Sequence, residues 1–119
     1  MARHEKLLER LSQVEMSFAA RLMEMLELRL SGESGGWFMY RHQFPSGTRY
    51  RTDGDAEMER METEARRLRE KLEEPPGEGP VAVLDELLSQ IRSAKAISDE
   101  VPLMRRAVER LRAICEPGL

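Results

Sequence analysis

The apolar positions of this chain fall into four stretches of helical spacing. Leu7, Leu11, Val14, Phe18, Leu22 and Met25 recur at steps of four, three, four, four and three, which is one face of a helix over residues 5–30. Leu8, Ala19, Met23, Leu26 and Leu30 widen that face toward its C-terminal half. Such a helix would be roughly 39 Å long at 1.5 Å per residue. Its stripe is too broad for one partner helix to cover. The run SGESGG (31–36) stops it, because glycine suits a helix end and cannot sustain the interior. Met58, Met61, Ala65, Leu68 and Leu72 then step three, four, three and four, a narrow two-heptad seam on a highly charged helix. Asp53-Gly54-Asp55 supplies its start, with acids at the positive end of the helix dipole.

Pro75-Pro76-Gly77-Glu78-Gly79-Pro80 is a linker that no helix crosses. Beyond it, Val81, Leu84, Leu87, Leu88 and Ile91 predict a third helix running to about Ile97. Ser98-Asp99-Glu100 is expected to cap a fourth, with Pro102 in its first turn. Leu103, Met104, Ala107, Val108, Leu111, Ile114 and Cys115 form the inner face of that helix, and Glu-Pro-Gly ends it. Helices 3 and 4 should make an antiparallel pair. Residues 1–119 thus read as a single helical domain, with a helix-hairpin-helix unit (1–74), the linker (75–80) and a C-terminal pair (81–119).

Between helices 1 and 2 the pattern changes. Residues 37–52, WFMYRHQFPSGTRYRT, contain the one Trp, both Tyr and two of the three Phe, with three Arg and no acidic residue. Two short runs rich in aromatic and β-branched residues flank Phe-Pro-Ser-Gly, which is a hairpin signal. The expected fold is therefore mainly all-α, a four-helix antiparallel arrangement with one β-hairpin protruding between helices 1 and 2. The order long helix, hairpin, long helix resembles prefoldin subunits in outline. The helices here are shorter and two more follow the linker, so the resemblance implies no kinship.

Charge sharpens the contrast. The formal net charge of −3 divides into −1 over 1–36, +3 over 37–52, −5 over 53–80 and zero over 81–119. A globally acidic chain binds polyphosphate poorly, because that affinity comes from Lys and Arg neutralising phosphates. Any such contact would have to be local to 37–52.

Chemistry is sparse elsewhere. His4 and His42 lie in different elements, His4 ahead of the first helix, and no nucleophile elbow, phosphate-binding glycine loop or HExxH spacing is present. Glu57, Glu59, Glu62 and Glu64 read as a solvated, self-paired helix face with Arg60, Arg66 and Arg67 interleaved. Helical nucleotide pyrophosphatases hold magnesium with ExxE pairs and a second acidic pair on another helix, which this chain lacks. No enzyme, catalytic residue, metal site or cofactor is expected. One cysteine, Cys115, excludes an internal disulfide and reads as a small buried apolar residue. No signal peptide or membrane span is apparent, so a cytoplasmic location is expected.

Three meanings compete for 37–52. Its rings could plug the end of the bundle, its Tyr, Trp and Arg could contact RNA or DNA, or it could dock on an acidic protein surface or a phosphorylated small molecule. The expected function is that of a non-enzymatic accessory or regulatory protein. It would self-associate through the broad face of helix 1, most simply as a homodimer. It would bind a macromolecule with an acidic or aromatic surface through Trp37, Tyr40, Arg41, His42, Arg49, Tyr50 and Arg51. The alternatives are a small subunit of a nucleic-acid-handling complex, contacting the backbone with the same residues, and a purely structural helical oligomer. The methionines at 16, 23, 25, 58 and 61 read as core, and the arginines at 105, 106, 110 and 112 as a basic outer face of helix 4.

Overall fold

A computed structural model describes residues 2–31, 53–75, 77–93 and 97–116. The described residues are all-α and form four helices: α1 (Ala2–Leu30), α2 (Asp53–Leu72), α3 (Pro80–Arg92) and α4 (Ile97–Cys115). The expected hairpin over 37–52 lies outside the described residues.

The long helix α1 is the spine. It packs against α2 on one side and α4 on another, with a smaller contact to α3. Arg10 meets Glu64 and Arg21 meets Glu57, so sequence numbers rise along α1 as they fall along α2, and these two helices are antiparallel. One core serves all four helices. Phe18, Leu22 and Leu26 of α1, Met58 and Ala65 of α2, Leu84 of α3 and Met104 and Leu111 of α4 are fully buried in it. The broad stripe of α1 is thus covered within the chain, and its width no longer argues for a second copy. The large apolar side chains left exposed on α1 are Leu8, Met16 and Leu28. Eight and twelve residues apart, they point about 80° and 120° away from one another and make no common stripe.

Several boundaries differ from the sequence expectation. Because α1 begins at Ala2, His4 lies inside it. The third helix ends at Arg92 rather than near Ile97, closed by the Ser93 N–H bonding to the carbonyls of Gln90 and Ile91. Ser98, Asp99 and Glu100 consequently fall within the opening of α4 rather than ahead of it, and Glu100 is fully buried there. Pro102 is a turn further in than expected, as the sixth residue of α4. Met16 is exposed rather than core, and Cys115 is half-buried rather than sealed.

The turn from α2 into α3 is the best-defined connection. The Glu74 N–H bonds to the Arg69 carbonyl at 2.9 Å and the Glu73 N–H to the Glu70 carbonyl at 3.2 Å. Those are the two hydrogen bonds of a Schellman cap. Its left-handed residue is Glu73, at φ 57°, where glycine is usual. Pro80 then opens α3 at a position whose N–H has no helical partner to lose. A left-handed non-glycine residue carries a cost of about 1–2 kcal/mol, part of which glycine returns through greater freedom in the unfolded chain. Glu73→Gly should therefore raise unfolding free energy by roughly 0.5–1 kcal/mol in a urea titration.

Candidate functional site

The seven residues singled out from sequence, Trp37, Tyr40, Arg41, His42, Arg49, Tyr50 and Arg51, lie outside the described residues. The described body has its own concave surface, at the C-terminal end of α2. There the last two turns of α2, the turn that follows and the start of α3 enclose a cleft of about 560 Å³.

Its walls follow from the local sequence. The seam position Ala65 is small, so α3 can approach, and Val81 and Pro75 complete an apolar floor. Arg66 and Arg69 line the cleft as well, three residues apart on one face of α2. Arg69 Nε bonds to Glu15 Oε2 at 2.6 Å and its Nη2 to Oε1 at 2.9 Å, a two-pronged pair in which both side chains are largely buried. Arg69 Nη1 donates to the Pro75 carbonyl at 2.8 Å. One guanidinium therefore joins α1, α2 and the turn. The Glu15 hydrogen bond raises its pKa despite burial, helped by the charges of Glu15, Glu74 and Glu78. Gly79, at φ 90°, lies directly on this pair. A Cβ there would stand 2.7 Å from Arg69 Nη2 and 2.8 Å from Glu15 Oε2.

Arg66 reaches the other way. It bonds to Glu62 one turn earlier at 2.9 Å and to both oxygens of Asp85 on α3 at 2.8 and 2.9 Å. Burial opposes its charge, yet the bonds to Asp85 and Glu62 outweigh that and leave its pKa raised. Both cations of the cleft are thereby committed to Glu15, Glu62 and Asp85. Glu70, Glu73, Glu74 and Glu78 line the same cleft, so its lining carries four carboxylates and two guanidiniums. The lining is net anionic over an apolar floor.

The acidic face of α2 is self-paired only in part. Glu62–Arg66 is the expected one-turn pair, whereas Glu64 and Glu57 cross to Arg10 and Arg21 of α1. The cross-helix partners were detectable as arginines flanking the α1 stripe, but only once the antiparallel register is known. On α4, Arg110 pairs with Glu86 and Arg112 with Glu27, so half of the expected basic face is neutralised from α3 and α1. Burial pushes the Cys115 thiol up, with Glu116 adding to the effect. Among the described residues no group of three His, Cys, Asp or Glu side chains could hold a metal ion, and no helix is long and apolar enough to cross a membrane. Set against known protein families, curated proteins and solved structures, the chain matches none.

Two outcomes follow from these pairs. Arg69→Gln leaves the Glu15 carboxylate largely buried without its partner and should cost about 1–3 kcal/mol in denaturant unfolding. Gly79→Ala, which displaces the same pair and strains the turn, should add little on top of it in the double variant. Separately, the Arg10 hydrogen bond holds the Glu64 carboxyl below the usual Glu range. The stability it contributes is complete above the unfolded-state pKa and is lost as pH falls through the lower folded value. An NMR titration should show the depressed midpoint, and Arg10→Gln should raise it toward the ordinary range.

Proposed function

We propose that this chain is a non-enzymatic accessory or regulatory protein that binds an acidic macromolecular surface through residues 37–52. The contact residues are Trp37, Tyr40, Arg41, His42, Arg49, Tyr50 and Arg51. The observation that supports this reading is how the body handles its own cations. Arg10, Arg21, Arg66, Arg69, Arg110 and Arg112, six of the sixteen Lys and Arg outside 37–52, each pair with a carboxylate of the helices. Residues 37–52 bring three arginines and no acid of their own. Their rings add area that binds at little entropic cost, and arginine beside aromatic side chains is the composition enriched where proteins bind most tightly. The helical body serves as the mount and the segment as the contact.

Protein docking is favoured over nucleic acid because three arginines give little counterion release on a chain that is acidic as a whole. Co-purification from the native cell, with bound material analysed for protein and nucleic acid, identifies the partner. Binding to a protein should survive 0.3 M salt (a roughly 6 Å screening length) in part and drop at least tenfold on Trp37→Ala. A steep salt slope, with loss on Arg49→Glu/Arg51→Glu whatever the state of Trp37, would establish an RNA or DNA backbone instead. If Trp37→Ala lowers the melting temperature and neither change affects capture, the segment is structural and the proposal fails.

A further inference from the structure

The chain carries both halves of a complementary contact, one in the helical body and one in residues 37–52. One half is the cleft, with an apolar floor at Ala65, Pro75 and Val81 and a rim of Glu70, Glu73 and Glu78. The other is residues 37–52, which have cations and rings and no acid. We infer that the cleft receives the 37–52 segment of a second copy of this chain, so that the protein associates head to tail through this pair of surfaces. The inference rests on the reading of 37–52 as the contact element.

Three physical points carry it. Arg66 and Arg69 are already bound to Glu15, Glu62 and Asp85, and Glu74 and Glu78 act on Arg69 through their charge, which leaves Glu70 and Glu73, both exposed, as the remaining carboxylates of the rim. An incoming guanidinium would supply bidentate partners for them while its neighbouring rings cover the apolar floor. The cleft's volume of about 560 Å³ lies within the range, about 300–1,000 Å³, of sites that enclose a compact group, so it takes several side chains rather than one. Tethering disfavours the same chain as occupant. Residues 32–52 are fixed at both ends, to α1 and to Asp53, while Arg66 lies roughly 20 Å further along α2. Arg49 and Arg51 stand four and two residues before Asp53 and so have at most about 14 Å of extended chain, which leaves them short of Glu70, roughly 25 Å along their own α2, whereas a second copy meets no such constraint. A contact in which one surface meets a different one builds rings or open chains rather than a self-complementary patch.

The test uses two full-length variants, with helix content and melting temperature checked first. Glu70→Lys/Glu73→Lys reverses the rim at two exposed positions and leaves Arg69–Glu15 and Arg66–Asp85 in place. Arg49→Glu/Arg51→Glu reverses the segment. Sedimentation equilibrium should show the natural chain associating, more weakly at high salt, and each variant at least tenfold weaker than it. Mixed one to one, the two variants should form a two-copy complex, because one retains a good cleft and the other a good segment. The inference is overturned if the natural chain stays monomeric, if the rim variant associates as before, or if the mixture does not. Should the segment variant alone lose association, the cleft is wrong and the reading of 37–52 stands. If only the rim variant loses it, the reading of 37–52 is the one that fails.

Discussion

The guanidinium of Arg69 joins α1, the last turn of α2 and the turn before α3, and the placing of the C-terminal helices depends on it. Its two-pronged bond to Glu15 fixes how far α2 runs along α1 before it stops. Its third donor takes the Pro75 carbonyl, while its own carbonyl accepts from Glu74. Gly79 can then pass close over the pair because it has no side chain. A partly desolvated charge is costly unless every prong is satisfied, and here it is satisfied in a geometry that only one arrangement of the turn permits. The pair gives direction more than it gives stability.

Around that clamp the helices are tied by charge at their edges and by aliphatic packing between them. Arg10–Glu64 and Arg21–Glu57 flank the α1–α2 seam, Arg66–Asp85 ties α2 to α3, and Glu86–Arg110 ties α3 to α4. Exposed pairs of this kind contribute little energy each, about 0–1 kcal/mol. They do discriminate among registers, since a slip of one turn would set like charges against each other. The narrow, methionine-softened seam of α2 gains from that discrimination, because apolar contacts alone would tolerate sliding.

The helices were legible because their apolar residues repeat at three and four over long stretches, and α1 and α2 end within a few residues of where Gly and Pro interrupt the pattern. The boundary between α3 and α4 was not. Ser93 and the residues after it carry no Gly or Pro, so nothing in the local chemistry marks the bend that the Ser93 N–H closes. Glu73 shows the converse, since a left-handed cap at a glutamate has no compositional signature. The cleft was hidden for a related reason. Its acids come from the end of α2 and the turn, a run that reads from sequence as solvated surface. Only the clamp at Arg69 brings them to one place and shows that its cations are already taken. The aromatic, basic composition of 37–52 was plain from sequence, and its expected shape falls outside the described residues.

The point where 32–52 joins the body has a meaning of its own. The segment is inserted between two helices whose adjacency is enforced by Phe18, Leu22 and Met58 and by the Arg21–Glu57 pair, all within the body itself. The joint between α1 and α2 is thus built without reference to what the insert contains. Related chains could lengthen, shorten or rewrite that stretch and keep the same four-helix chassis. A change of partner could then be made in the insert alone, with the frame unaltered.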